Sequence, residues 1–400
     1  MNLVEKHIIN RSNPLYKILD DLSFKSKNLY NYGLYLIRQQ YLINKTFLNY
    51  YTLDKMLNSS NQVDYVALPS NTSQQVLRLL QKNFIGFFNS IKKNIKGVKL
   101  PKYKHKINGR NIISFTNVQC RIKTDGYIHF NKQSGIPPLK TKIIGRLISV
   151  RIVPITGAYK IEIVYEKQES NLNLDKSKHI AIDLGLNNLM TITSDTGLMP
   201  QIINGRPLKS INQYFNKKLA YLKSKLSYGI NSSKRIDKLY LNRFNKIDNY
   251  LHHSSKYIIN LCIKENIGTI IIGKNDGWKQ NINLGKKVNQ SFVQVPFNTL
   301  ISQIIYKAKL VGIDVKVINE AYTSRCSALD MEPLCKHDNY IGSRIFRGLF
   351  KWSGGLLNAD VNGSLNILRK EIGDALFTKD VANRGTRLCA VKKINTICLS

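Results

Sequence analysis

Hydrophobic and polar positions along the chain change period more than once. A short apolar run, Leu3 to Ile9, predicts an opening strand. Helical spacing follows: Pro14 to Leu42 carries Leu29, Tyr30, Tyr32, Leu34 and Leu36. After Pro69, Val76, Leu77, Leu80, Phe84, Phe87, Phe88 and Ile91 repeat at i, i+3, i+4, i+7, with Ser73 as the expected N-cap and Arg78, Lys82, Lys92 and Lys93 on the other face. From Asn111 the period becomes two. Cys120 to Lys123 and Tyr127 to Phe130 flank Asp125-Gly126, and Leu147 to Val153 and Tyr159 to Tyr165 bracket Thr156-Gly157, two hairpin signatures. Residues 1–10 and 100–170 are therefore expected to build an antiparallel β-barrel, and residues 11–99 a helical insertion into it.

The polar segment Lys167 to Lys178 marks a domain boundary, after which strands alternate with helices. The expected order is strand His179 to Ile182, hairpin partner Leu189 to Thr193, helices Leu208 to Leu226 and Ser233 to Glu265, strand Gly268 to Ile272, helix Pro296 to Leu310, strand Ile313 to Ile318 and a last helix from Asp360. An initial hairpin followed by alternating strands and helices is an α/β order compatible with an RNase H-like sheet over residues 179–400. The whole chain is thus an α+β multidomain protein.

Charge narrows the partner. With 61 Lys and Arg against 25 Asp and Glu, the net charge is +36 over 400 residues, while 43% hydrophobic residues suffice for packed cores. A continuously negative partner is implied, nucleic acid first. No apolar run approaches the roughly 18 residues of a spanning helix and no signal-peptide core follows Met1, so the expected location is cytoplasmic with no membrane partner. Six cysteines, Cys120, Cys262, Cys326, Cys335, Cys389 and Cys398, include no C-x-x-C pair, so neither a disulfide framework nor a zinc site is expected.

In so basic a chain, carboxylates at the ends of apolar strands are costly unless a cation holds them. Asp183 ends Ile180-Ala181-Ile182 before Leu184-Gly185. Glu320 follows the strand Ile313 to Ile318, and Asp360 opens the last helix within Asn358-Ala359-Asp360-Val361-Asn362-Gly363-Ser364. Singly each reads as a turn or cap residue. Together, on three elements of one α/β domain, they form a set able to hold two Mg2+ ions roughly 3.5–4 Å apart for phosphodiester hydrolysis.

At these residues the sequence resembles the TnpB family of transposon-encoded RNA-guided DNA endonucleases, relatives of type V CRISPR effectors, and the resemblance runs the length of the chain. Ser26-Lys27-Asn28-Leu29-Tyr30-Asn31, Leu68-Pro69 with Gln74-Gln75-Val76-Leu77, and Pro101-Lys102-Tyr103-Lys104 with Gly109-Arg110-Asn111 look like its N-terminal half. Ala181 to Leu189 looks like its first RuvC-type nuclease motif and Asn358 to Ser364 like its third, about 175 residues apart. The resemblance implies a wedge-like barrel with a helical recognition insertion, then a RuvC-like nuclease domain over 179–400. That domain carries a basic helical hairpin at 208–265 and an insertion at 321–357. It also implies Asp183, Glu320 and Asp360 as catalytic metal ligands for Mg2+, with Mn2+ possible, and a guide RNA and double-stranded target DNA as partners; the oligomeric state is left open, a monomer being favoured.

Two departures matter. The second motif usually has Glu directly after its strand, whereas Ile270-Ile271-Ile272 runs into Gly273-Lys274-Asn275-Asp276-Gly277-Trp278. A branch of the family places the Glu after the next strand, as in Asn319-Glu320-Ala321 here. Neighbouring strands lie about 4.8 Å apart, so a long Glu side chain can reach across. Asp276 is the alternative. Where the family usually has a zinc ribbon, Ser343-Arg344-Ile345-Phe346-Arg347-Gly348-Leu349-Phe350-Lys351-Trp352 alternates cations with aromatics, suited to single-stranded DNA or else a surface hairpin with its aromatics in the core.

The nucleic-acid-binding group expected from this comparison is Lys27, Tyr30, Asn31 and Arg38 on one helix, Lys102, Tyr103, Lys104, Lys106 and Arg110 in a loop, and Arg344, Arg347 and Lys351 in the insertion. The helices carrying Lys217, Lys218, Lys223, Lys225, Lys234, Arg235, Lys238 and Arg243 are expected to pack on the nuclease sheet with a basic face outward. Two other functions remain open: an RNA-guided DNA-binding repressor without nuclease activity, and a transposase-type strand transferase on the same kind of sheet.

Overall fold

A computed structural model of the chain describes residues 1–275, 294–377 and 390–395. Two compact units divide at Gln168/Glu169. In the first unit, β1 (Asn2–Asn10) leads into α1 (Leu15–Asn44), α2 (Tyr50–Ser59), α3 (Val63–Ala67) and α4 (Ser70–Lys92). The expected helical stretch is therefore four helices. Leu77, Leu80 and Phe84 of α4 and Leu29, Leu34 and Ile37 of α1 are almost wholly buried in one core, each contributing about 2 kcal/mol of apolar burial. Ser73 is not the N-cap: it lies inside the first turn of α4, its buried hydroxyl donating 2.7 Å to Tyr65 O.

After the helices come β2 (Ile113–Thr116), β3 (Cys120–Ile122), β4 (Tyr127–Phe130), β5 (Leu139–Lys140), β6 (Arg146–Ile155) and β7 (Ala158–Glu166). Their pairing does not close into a barrel. One sheet runs β1-β7-β6-β2 and a separate one β3-β4-β5. The physical reason lies at the join: β5 supplies only two residue pairs, and beyond it the Glu5 side chain, accepting from Thr141 Oγ1 at 2.7 Å and the Lys142 amide, replaces a backbone ladder with β1. The opening strand does join a sheet, pairing with β7 along its whole length.

The second unit is built on one six-stranded sheet of β8 (Asp175–Leu184), β9 (Asn188–Ser194), β10 (Gln201–Asn204), β11 (Ile267–Gly273), β12 (Asp314–Ile318) and β16 (Lys392–Ile394), in the order β12-β11-β8-β9-β10-β16. β8, β9 and β10 are antiparallel neighbours, while β11 and β12 run parallel to β8. β8 begins at Asp175, so the end of the polar boundary segment is strand, with exposed residues that pair into β11 through Asp175 and Ile267. The periodicity also missed β10 and β16, four and three residues long, too short to establish a pattern.

Helices α5 (Arg206–Lys223), α6 (Lys234–Lys264), α7 (Phe297–Lys309) and α8 (Ala359–Ile372) complete the unit. Both faces of the central strands are covered: Ile180, Ile182, Ile270 and Ile272 pack with residues of α6 and α7, and Ala181 and Ile271 with Ile367 and Leu368 of α8. Burial on both faces explains the uninterrupted isoleucines of β11. A three-stranded sheet of β13 (Ser343–Phe346), β14 (Leu349–Trp352) and β15 (Gly355–Asn358) precedes α8. No described helix is long and apolar enough to cross a membrane.

Candidate functional site

Three parallel strands end at the same edge of the sheet, and their registers place the carboxylates. Ile182 of β8 pairs with Ile272 of β11, and Gly273 pairs with Ile318 of β12. Asp183 thus lies near the end of β8, one residue past Ile182, at the level where β11 reaches Gly273, and Glu320 lies two residues past the end of β12. The missing second-motif Glu is Gly273 in this frame. A Cβ there would meet Glu320 Oε2 at 3.0 Å and Ile367 Cδ1 at 2.4 Å. Glycine therefore clears the end of the middle strand, and the longer Glu320 side chain folds over it.

Asn275 fastens that side chain: Glu320 N donates 3.2 Å to Asn275 Oδ1, and Asn275 Nδ2 donates 3.4 Å to Glu320 Oε1. Glu320 Oε2 is buried without a hydrogen-bond partner. Burial pushes the Glu320 carboxyl up to about 7, against the opposing effect of Lys370. Asp183 is raised well above its ordinary value, first by burial and then by Glu320 and Asp360, while Arg344 and the Leu184 amide oppose the shift. Asp276 lies outside the described residues.

Asp360 sits in the first turn of α8 without being its cap. Asn358 Oδ1 accepts from the amides of Asp360 at 3.0 Å and Val361 at 3.3 Å, which leaves the Asp360 carboxylate free to face the sheet. There it accepts from Asn188 Nδ2 at 2.7 Å and pairs with Arg344 Nη2 at 3.1 Å. Gly363 brings α8 against β8: a Cβ there would stand 2.8 Å from Asp183 Oδ2. Ser364 Oγ donates 3.0 Å to Ala181 O and lies 2.9 Å from Thr193 Oγ1, anchoring the helix across the strands.

Two buried asparagines one turn apart on α8 hold the loop after Glu320. Asn362 Nδ2 donates 2.8 Å to Cys326 O, and Asn366 Nδ2 donates to Thr323 O and Cys326 O at 2.9 and 2.7 Å. Sequence reasoning passed over Asn188, Asn275, Gly273, Gly363, Asn362 and Asn366. The first two could have been found beside the nuclease motifs, and the pair on α8 by its i, i+4 spacing of polar residues on an apolar face.

These contacts allow a test of fit for a cation. Among the described residues, no three His, Cys, Asp or Glu side chains are gathered closely enough to hold a metal ion. The donor chemistry does fit one: three electrostatically coupled carboxylates, one with a buried unpartnered oxygen, are hard ligands of the kind Mg2+ and Mn2+ take. Like charges drawn together without a cation repel, and Arg344 supplies the positive charge beside Asp360.

The expected nucleic-acid group divides. In the first unit Lys27 is 2% exposed, its Nζ donating 2.6 Å to Lys106 O, and Tyr30 is 4% exposed. Asn31 exchanges hydrogen bonds with Lys104 N and O at 2.9 Å, Arg38 donates 2.6 Å to Pro101 O, and Arg110 holds Asp20 through two bonds of 2.8 Å. These residues clasp the 101–110 loop to α1, with Lys27 and Tyr30 buried in the join and Asn31 and Arg38 half-buried. Lys104 is half-buried, and Lys102, Tyr103 and Lys106 stay exposed. In the second unit Arg344, Arg347 and Lys351 are exposed. The insertion's aromatics split, with Phe346 70% exposed while Phe350 is buried and Trp352 packs on a small core. Cys326 is buried and Cys335 exposed, both as free thiols.

Comparison with known proteins places this architecture. Residues 162–279 match a family model described as a probable transposase, OrfB of IS605, and residues 297–367 one described as a Cas12f1-like TNB domain. A TnpB-like protein of Methanocaldococcus jannaschii is 31% identical over 120 residues, 30% of this chain, which spans 43% of that relative's length. A cryo-EM structure of a Cas12f1-sgRNA-target DNA complex is similar with a TM-score of 0.54 at 14% identity, covering 88% of this chain and 82% of that one. The mini-RNA-guided endonuclease Cas_phi3 gives a TM-score of 0.48 at 10% identity, over 93% and 92% of the two chains. The fold is a mixed α+β multidomain one similar to Cas12 effectors. These matches relate the chain to TnpB-like proteins and, by fold, to Cas12 effectors.

Proposed function

We propose that this protein is an RNA-guided DNA endonuclease whose second unit is a RuvC-like, RNase H-like nuclease domain. The observation that carries this is the convergence of Asp183, Glu320 and Asp360 on one edge of the sheet, with Gly273 making room for the relocated Glu320. Asp183, Glu320 and Asp360 would hold Mg2+, or Mn2+, two ions per site. When bound, the ions supply a nucleophilic hydroxide at neutral pH and stabilise the leaving oxygen.

The chain's own residues do the rest. Asn275 orients Glu320, Asn188 orients Asp360, and the Asn358 cap leaves Asp360 open toward the metal. Arg344 pairs with Asp360 in the structure and, exposed beside the carboxylates, would be available to a backbone phosphate were a cation held there. Lys102, Tyr103 and Lys106 in the first unit, and Arg347 and Lys351 in the second, contact nucleic acid. The partners are a transposon-end-derived guide RNA and double-stranded target DNA with a short flanking motif. The net charge of +36 and the family relation support them, together with the sgRNA and target DNA of the similar Cas12f1 complex. The Arg344 pairing with Asp360 also favours a second reading, RNA-guided binding without cleavage.

The two separate in one experiment: the protein co-expressed with RNA from its own locus and supplied with a matched plasmid and Mg2+. Cleavage is expected, reduced at least about 100-fold in Asp183→Asn and Glu320→Gln, with plasmid binding held within about twofold. Binding without cutting in the unaltered protein supports the second reading. Cutting that survives both substitutions removes these carboxylates from the mechanism, and joined rather than cut products would indicate strand transfer.

A further inference from the structure

Residues 206–246, which span α5 and the first part of α6, carry eleven Lys or Arg against one acid, Asp237. They also carry aromatic rings turned outward. On α5, Phe215 and Leu208 are buried, while Tyr214 is 63% and Tyr221 54% exposed. Tyr214, Lys218 and Tyr221 recur four and three residues apart, so they share one side of the helix, and Lys225 follows one turn on. The connection to α6 puts Tyr228 fully into solvent. Lys218 Nζ lies 5.0 Å and Lys225 Nζ 5.9 Å from the centre of the Tyr221 ring.

Solvated tyrosines among unopposed cations are matched by few partners. A second copy of this chain, at +36, is repelled by such a face. An apolar protein groove would have to desolvate the lysines without pairing them. A closed duplex offers phosphates but hides the faces of its bases. An unpaired strand offers both phosphates for the cations and open bases for the rings. Tyr214 and Tyr221 are about 10 Å apart along the helix, so they reach different bases.

We propose that the outward side of α5 and its connection to α6 bind an unpaired polynucleotide strand, with Tyr214, Tyr221 and Tyr228 stacking on bases and Lys218 and Lys225 on the backbone. This site is on different elements from the carboxylates and needs no cleavage to be observed. It extends the guide-RNA and DNA reading by assigning single-strand capture to a basic, aromatic arm of the second unit.

The test uses the full chain, cleared of copurifying nucleic acid in high salt, and fluorescein-labelled 20-nucleotide RNA, DNA of the same sequence, and a duplex. Fluorescence anisotropy is read for a triple Tyr→Ala variant (Tyr214, Tyr221, Tyr228) and its Tyr→Phe counterpart. The Ala variant is expected to lose single-strand affinity about tenfold or more, the Phe variant to stay within about twofold, and duplex affinity to stay unchanged in both. Equal losses for RNA and DNA assign the site to any unpaired strand, and a loss confined to RNA assigns it to the guide. Photo-crosslinking of 5-iodouridine RNA to the unaltered protein gives a reading free of folding effects, with adducts expected at Tyr221 or Tyr228. Parallel loss of single-strand and duplex binding, equal behaviour of Ala and Phe, crosslinks only elsewhere, or a change confined to self-association in sedimentation would each overturn the proposal. Asp183→Asn should leave this binding untouched, so failure of the nuclease reading and failure of the arm are told apart.

Discussion

At the scale of single residues, the site depends as much on absent side chains as on present ones. Gly273 and Gly363 stand where a Cβ would collide with Glu320 Oε2 at 3.0 Å and Asp183 Oδ2 at 2.8 Å. The second contact yields a sharp expectation. Alanine inside a helix ordinarily stabilises by about 1 kcal/mol over glycine, which offsets part of the cost of pushing Asp183 aside. Gly363→Ala is therefore expected to fold with stability within about 1 kcal/mol of the unaltered protein while its plasmid cleavage rate falls about 100-fold. Denaturant unfolding and the cleavage assay check the two halves separately. Unchanged cleavage would mean that the position of Asp183 against α8 does not matter to the chemistry.

At the scale of elements, the lysines and arginines of α1 show how an exposed-looking pattern becomes a structural clasp. Lys27, Asn31 and Arg38 tie the 101–110 loop to the helix, and Asp20 collects Arg110 and the Tyr159 hydroxyl, the latter at 2.6 Å. The Arg110 hydrogen bond holds the Asp20 carboxyl below its ordinary 3.8, against a partial opposing effect of burial. A depressed folded-state value contributes stability that is present above the unfolded value and lost as pH falls through the folded one. Asp20→Asn is thus expected to cost about 1–2 kcal/mol at pH 7, discounted for the exposure of Asp20, and to flatten the loss of stability expected of the unaltered protein below about pH 4. Thermal unfolding at pH 3 to 7 checks both. Equal acid sensitivity in the two proteins would remove Asp20 as a source of it.

At the scale of the whole molecule, each unit has its own core: the buried residues of one run from Ile9 to Ile163, and those of the others from Ile180 onward. Independent cores predict independent melting. Calorimetry is expected to resolve two transitions, with Asp20→Asn lowering one by about 2–6 °C and leaving the other in place. A joint shift would show that the units unfold as one. What the linear chain determined by itself was local: the helix stripes, the Asp125-Gly126 and Thr156-Gly157 turns, the apolar strands and the three carboxylates after or beside them, because side-chain period and turn chemistry act over a few residues. What only the tertiary structure decided was pairing and access. The strands of the first unit stop short of a barrel because β5 carries only two residue pairs, both with β4, and makes no ladder with β1. Lys27 and Arg110 are clasp residues because their donors find carbonyls and a carboxylate 79 and 90 positions away. Glu320 reaches the edge shared with Asp183 because β11, lying between β8 and β12, ends in glycine, a juxtaposition that exists only once the strands are ordered.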